Sequence, residues 1–154
     1  MIQIRKAKLG DEAGIHQLIK ELAAYEKAPH EVTNTIDELK RHLFEEEICH
    51  SLVALEANRI IGFSLYYISY STWKGKCLYL EDFYVQPTHR KKGIGELLFN
   101  QTIEIAKSLK AKRMDWQVLS WNEIAMNFYK KQGTILDSGW VQGRISFNKN
   151  KVEN

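Results

Sequence analysis

An α/β fold is implied by the way two hydrophobic periods alternate along these 154 residues, strand-like runs giving way repeatedly to helical ones. Two further observations support that class. Apolar residues make up 44% of the chain and charged residues 27%, the balance of a globular protein able to bury a core. No internal repeat or low-complexity linker interrupts the pattern, so residues 1–154 are expected to form a single domain.

The opening IQIRK alternates as a first strand. Asp11 stands as an N-cap before Ile15, Leu18, Ile19 and Leu22, whose i, i+3, i+4, i+7 spacing makes the apolar face of a first helix. Thr35 with Glu38 three residues on forms a capping box, and Ile36, Leu39 and Leu43 line the helix that follows. HSLVALE and IIGFSLYYISY read as two strands of a hairpin, joined by a tight turn at residues 57–59. STWKGK is turn-like and leads into LYLEDFYV, a central strand. QPTHRKKG is a loop, after which a third helix runs over residues 94–109. RMDWQVLSW reads as another strand, and NEIAMNFYKKQG as a short helix stopped by Gly133. WVQGRISFN is expected to be a final strand.

Composition removes several function classes. The net charge of +3 permits an anionic cofactor without announcing nucleic acid. The basic run HRKKG is accompanied by no helix-turn-helix or zinc-finger pattern, so no nucleic-acid partner is expected. Cys49 and Cys77 lie far apart and read as reduced thiols of a cytoplasmic protein. His16, His30, His42, His50 and His89 show no ligand spacing, and no metal is expected. No run approaches the length of a membrane span, and MIQIRKAKLGDEAG has no apolar secretory core, so no membrane partner is expected either. EEE at residues 45–47 and KAKR at 110–113 read as solvated helix-end charges.

Two stretches carry chemistry. In VQPTHRKKGIGE, residues 85–96, glycines between a strand and a helix allow a ligand to approach the backbone, and N–H groups at a helix start form an anion cradle. Leu98 stands where a third glycine would complete G-x-G-x-x-G, and no P-loop is present; a bare G-x-G describes an ordinary tight turn equally well. In LYLEDFYV, Glu81 and Asp82 interrupt an apolar strand, where an unpartnered carboxylate is costly. Strand alternation puts Glu81 on the face of Tyr79 and Phe83 and Asp82 on the opposite face, so the two are not expected to act as a carboxylate pair. A strand-end or bulge acid reaching solvent is the plain alternative for both.

Val85, Pro87, Arg90, Gly93 and Gly95 form the pattern V-x-P-x-x-R-x-x-G-x-G, which resembles the acetyl-CoA signature of the GNAT superfamily of N-acetyltransferases. LIKELAAYE, GFSLYYISYSTWKGK, LYLEDFYV, RKKGIG and WNEIAMNFYKKQG resemble, in order, segments of the diamine acetyltransferases, the spermidine/spermine and thialysine enzymes among them. The resemblance implies a GNAT-like fold whose central, mixed, largely antiparallel twisted sheet is flanked by about four helices. It implies acetyl-CoA as co-substrate, a small-molecule amine as acceptor, and a homodimer. By the same resemblance Phe83, Tyr84 and Val85 would contact the pantetheine arm, and Arg90, Lys91, Lys92, Gly93, Ile94, Gly95 and Glu96 the pyrophosphate. Asn122, Glu123, Ile124 and Ala125 match a second CoA-contacting segment, and Tyr129 the tyrosine that contacts the cofactor and protonates the leaving thiolate. Glu81 matches the substrate-side glutamate, a candidate base. Tyr25, Glu26, Trp73, Asp115, Trp116 and Gln117 are the other substrate-side candidates.

The chemistry fits these residue types. A primary amine with a pKa near 10.4 loses its proton at a cost of about 4 kcal/mol at pH 7.4, so a base is needed. A phenol, protonated at neutral pH, suits protonation of sulfur. Direct attack within a ternary complex requires no covalent enzyme intermediate. Polyamine-acetylating members carry acids where this chain has Ser71 and, before Gly139–Trp140, Ser138. Both differences remove negative charge, and YSTWKGK resembles the thialysine branch; a small amine or lysine-like amino acid is therefore preferred to spermine. The competing expectation is a catalytically inactive CoA-binding or regulatory module.

Overall fold

Strand pairing organises the first 117 residues. In a computed structural model, which describes residues 1–147, five strands form one sheet in sequence order. They are β1 (Ile2–Lys6), β2 (His50–Glu56), β3 (Arg59–Ser71), β4 (Gly75–Val85) and β5 (Met114–Trp116). The first four are antiparallel and β5 joins β4 in parallel, which is the mixed, largely antiparallel sheet expected. The described residues also form four α-helices: α1 (Glu12–Tyr25), α2 (Ile36–Phe44), α3 (Ile94–Ser108) and α4 (Glu123–Lys131).

Successive strand residues point to opposite faces, and this separates the helices. Phe63 and Leu65 of β3 share one core with Ile15, Leu18 and Leu22 of α1 and Leu39 and Leu43 of α2. Ser64, between them, points the other way and accepts a 2.9 Å hydrogen bond from Thr102 of α3. The sheet is therefore covered by α1 and α2 on one face and by α3 on the other. Each large core side chain contributes on the order of 1.5–3 kcal/mol by its burial.

Local signals were used partly in unexpected ways. Asp11 occupies the N-cap position of α1 but makes no side-chain cap. Its carboxylate instead accepts from Arg5 at 2.7 and 3.2 Å and from the Lys8 N–H at 2.8 Å, tying β1 to the helix. Burial opposes its ionisation, but the bonds and charges of Arg5 and Lys8 outweigh that and hold its pKa below the usual value. A depressed folded pKa stabilises above the unfolded pKa, and the effect is lost as pH falls through the folded value. Asp11→Asn is thus expected to cost about 1–3 kcal/mol at pH 7. In urea titrations the difference from the parent should shrink towards zero once the pH drops below the range where Asp11 ionises. Thr35 caps α2 by accepting from the Glu38 N–H at 3.1 Å, whereas the Glu38 carboxylate turns forward to Arg41 at 2.6 Å; only half of the capping box forms. In the β2–β3 hairpin Ala57 and Asn58 both have positive φ, the signature of a two-residue I′ turn.

The decisive irregularity lies in β4. Leu65 pairs with Asp82, while the next β3 residue, Tyr66, pairs with Leu80; Glu81 is the extra residue of a β-bulge. The bulge inverts the faces beyond it. Asp82 pairs with Leu65 and Tyr84 with Phe63, both on the α1 side, while Phe83 pairs with Ser64 on the α3 side. The expectation of unbroken alternation, with Asp82 opposite Tyr79 and Phe83 beside it, is corrected: Tyr79 and Asp82 share a face, and Phe83 leaves it. The β4–β5 ladder ends at Leu80–Trp116, the pair just before the bulge. A bulge bends and twists its strand, and the strand expected over RMDWQVLSW is correspondingly only three residues long.

The second compact unit begins at Val118. Its one helix among the described residues is α4, which starts where Asn122 accepts from the Ala125 N–H at 3.1 Å. It ends as expected at Gly133, whose φ of +74° lets its N–H return to Lys130 O. Residues 134–147 adopt no regular structure, so the final strand expected over WVQGRISFN does not form in its described part, and Asn148 lies outside the described residues. Strands require a ladder, and no strand among the described residues pairs with this segment; Trp140, Val141, Ile145 and Phe147 are all exposed.

Candidate active site

The strand–loop–helix passage from β4 to α3 is pinned from both sides. His89 is buried, with Nε2 3.1 Å from Glu56 Oε2 and Nδ1 3.0 Å from Thr88 Oγ1. Arg90 Nε donates to Val85 O at 2.9 Å, and its guanidinium lies 5.4 Å from the Tyr25 ring centroid and 5.6 Å from that of Tyr84. The Arg90 side chain therefore packs into the protein rather than extending along the loop.

Lys91, Lys92 and Gly93 follow, all exposed. Lys91 and Gly93 both take left-handed backbone conformations, with φ of +64° and +78°. A β-carbon on Gly93 would meet nothing within 4 Å, so glycine is favoured there by φ alone. Gly93 is also the N-cap of α3, and no side chain caps that helix. The N–H groups of Ile94, Gly95 and Glu96 stand at an uncapped start of a 15-residue helix, between two lysines and the helix dipole. That arrangement fits a pyrophosphate.

Beside it, residues 81–85 of β4 extend past the end of β5, so the edge away from β3 pairs with no strand among the described residues. This opened edge includes Phe83, Tyr84 and Val85, and it suits an extended ligand that pairs with backbone. The three side chains are otherwise engaged. Phe83 makes an edge contact with Phe99 (5.6 Å), and the Tyr84 hydroxyl donates to Glu21 at 3.3 Å. Val85 is buried.

On the α1 face the bulge gathers acids. Glu81 raises the pKa of Glu26, where burial is the larger cause, and of Asp82. Burial first, then the charges of Glu81 and Glu26, push the Asp82 carboxyl up to about 7. Glu81 is exposed, while Asp82 and Glu26 are partly buried. Tyr67 and Tyr79 pack across the strands at 5.4 Å between ring centroids and flank this patch. Burial, then Glu81, Tyr67 and Asp115, push Tyr79 up to about 12, and burial and Glu81 raise Tyr67 as well. Neither tyrosine was singled out from the sequence; Tyr67 and Tyr79 are separated by twelve positions, and only the hairpin register makes them neighbours.

The other substrate-side residues divide. Tyr25 and Glu26 end α1 beside this region. Asp115 pairs with Tyr79 on the same face and holds Arg113 at 2.8 Å. Trp116 pairs with Leu80 on the α3 face, its ring against Phe99 at 5.5 Å. Gln117 ends the first unit. Trp73 is exposed at the tip of the β3–β4 hairpin, beyond Ser71, the end of β3, which is six residues from Leu65, roughly 20 Å at about 3.3 Å per residue. The Ser71 hydroxyl accepts from the Trp73 and Lys74 N–H groups, closing that turn. In the second unit Asn122 is used as the α4 cap, Glu123, Ile124 and Ala125 form the first turn, and Tyr129 is buried with its ring 5.6 Å from Phe128.

A model of the acetyltransferase (GNAT) family matches residues 15–134. The chain belongs to the GNAT acetyltransferase family. The match takes in the bulged strand, the α3 cradle and α4. Among relatives of this GNAT protein, the thialysine N-epsilon-acetyltransferase of Bos taurus is 40% identical over 141 residues, covering 86% of this chain and 83% of the relative. The human spermidine/spermine N(1)-acetyltransferase-like protein 1 is 35% identical over 98% of this chain, which spans 23% of that longer protein. An aminoglycoside acetyltransferase from an uncultured soil metagenomic sample superposes with a TM-score of 0.80 at 19% identity, over 96% of this chain and 97% of its own, a likeness of fold. The GNAT protein described here is an N-acetyltransferase with the GNAT fold.

Proposed function

We propose that this GNAT enzyme transfers the acetyl group of acetyl-CoA to a primary amine of a small diamine, polyamine or lysine-like amino acid, with a thialysine-like acceptor preferred. The observation that carries the reading is the patch formed by Glu26, Glu81 and Asp82 beside two tyrosine rings, with no ion pair to any of the three acids among the described residues. Charge and aromatic faces together suit an ammonium group. The relatives named for thialysine and for spermidine/spermine support an amine acceptor. Ser71, spent on its own turn, offers no charge to a polyamine.

In this reading acetyl-CoA, when bound, supplies the activated thioester carbonyl. Backbone N–H groups of residues 91–96, with Lys91 and Lys92, hold its pyrophosphate, and the open β4 edge at Phe83, Tyr84 and Val85 holds the pantetheine arm and the developing oxyanion. Arg90 serves by positioning the loop. Asn122, Glu123, Ile124 and Ala125 form the second CoA-contacting segment, and Tyr129 gives its proton to the leaving sulfur. Glu81, exposed at the bulge, meets the amine, and the base is one of the two carboxylates at that bulge, Glu81 or Asp82. We take the enzyme to work as a cytoplasmic homodimer, without metal, nucleic-acid or membrane partners; light scattering in solution checks the dimer.

A thiol-release assay over lysine, thialysine, short diamines, spermidine and spermine tests the assignment. Thialysine or lysine should give the highest kcat/KM, with spermine lower by about tenfold or more, the equivalent of about 1.4 kcal/mol of missing charge partners. CoA binding with no turnover of any amine would make the chain a catalytically inactive CoA-binding module.

A further inference from the structure

Resting on the amine-acetylating reading above, we propose that Asp82, rather than Glu81, exchanges a proton with the substrate: it carries the proton in the free enzyme, releases it when the ammonium enters, and takes one from the nitrogen as attack begins. The bulge is the reason. It places the carboxylates of two adjacent residues on one face, where regular alternation would have separated them. Charged groups facing this patch are Glu81 from β4 and Glu26 from the end of α1; the titratable phenols are Tyr67 from β3 and Tyr79 from β4. Asp115 of β5 acts on Tyr79 and is held by Arg113, and Arg90 is packed against Tyr25 and Tyr84. No cation in this set balances the acids, so the most enclosed of them retains a proton, consistent with its pKa of about 7.

The two acids then divide the work. Glu81 is exposed and close enough to the Tyr67 hydroxyl to raise its pKa. A carboxylate that stays ionised beside an ammonium favours the ammonium and resists its deprotonation. Glu81 is suited to holding the amine. Asp82 is partly buried, has neither hydrogen-bond nor ion-pair partner among the described residues, and gains or loses a proton in response to charge nearby.

The proton balance closes. The entering R–NH3⁺ displaces the Asp82 proton to solvent. One N–H proton then passes to the Asp82 carboxylate as the nitrogen lone pair forms the C–N bond. The C–S bond breaks, the second N–H proton leaves the nitrogen, and the departing sulfur takes up one proton in exchange. The amide leaves with Asp82 protonated again, and a turnover that began with Asp82 protonated has released one proton at the binding step.

Calorimetric titration of the CoA-bound enzyme with thialysine, in buffers of different ionisation enthalpy, reads that release. Near pH 7 the parent should expel about half a proton per amine bound, more at lower pH and none well above it. Asp82→Asn should bind thialysine with buffer-independent heats and lose kcat far more than KM. Glu81→Gln, which removes a like charge, should lower the proton affinity of Asp82, reduce release at pH 7 and mainly raise KM. Buffer-independent heats in the parent, or unchanged release in Asp82→Asn, would overturn the proposal even if thialysine is acetylated. Absence of amine binding and of turnover across the whole panel would instead count against the amine-acetylating function itself.

Discussion

Replacing Tyr129 with phenylalanine is expected to lower kcat by about 10²–10⁴-fold, the range of a lost general acid, while leaving CoA affinity unchanged. The leaving group in this reaction is a thiolate, and its departure is eased by a donor that is still protonated at neutral pH, which a phenol is. The substitution removes a single oxygen from a buried ring. The backbone bonds of this residue and one ring contact are retained. Tyr129 O still accepts from the Thr134 hydroxyl at 2.8 Å and from the Gln132 N–H at 3.0 Å, and the Phe128 ring remains at its edge. Near-parental thermal unfolding together with a large fall in kcat would therefore report the hydroxyl and not the helix. Unchanged turnover would remove Tyr129 from the acid role.

Much of the fold was legible because its signals are local. The i, i+3, i+4, i+7 series of Ile15, Leu18, Ile19 and Leu22 lies on α1, Gly133 stops α4, and the hairpin turns at Ala57 and Asn58. The errors came where pairing decides. WVQGRISFN has the composition of a strand, yet a strand exists only with a neighbour, and residues 134–147 have none among the described residues. RMDWQVLSW holds a strand of only three residues, whose ladder ends at the pair just before the bulge in its partner. That same bulge defeated the reading of the acids. Period-2 alternation is reliable only while the register holds, and one inserted residue exchanges the faces of everything beyond it. The expectation that an acid in this apolar strand is costly to bury applies to Asp82, where burial opposes ionisation, and not to Glu81, which is exposed. Their mutual arrangement depends on which β3 residues they oppose, and no feature of LYLEDFYV itself records that.

The site's rigidity is open to a separate test at Phe99. This α3 side chain is 1% exposed and makes edge contacts with Phe83 of β4 and Trp116 of β5, at 5.6 and 5.5 Å between ring centroids. It thus packs beneath the place where β4 and β5 part, joining the strand that lines the open edge to the one that stops short of it. Phe99→Ala is expected to destabilise the protein by about 3–5 kcal/mol, combining lost transfer energy with a cavity that the sheet only partly closes. Phe99→Leu retains most of the volume and is expected to cost less than about 1.5 kcal/mol. Urea denaturation measures both. The functional consequence separates two ideas about the open β4 edge. If Phe99 sets the position of Phe83 relative to Trp116, the leucine variant at a temperature where it is fully folded will bind CoA more weakly with its amine KM unchanged, because the α1-face acids are on the other side of the sheet. A leucine variant with parental CoA affinity would show that α3 supports this region only by contributing to stability.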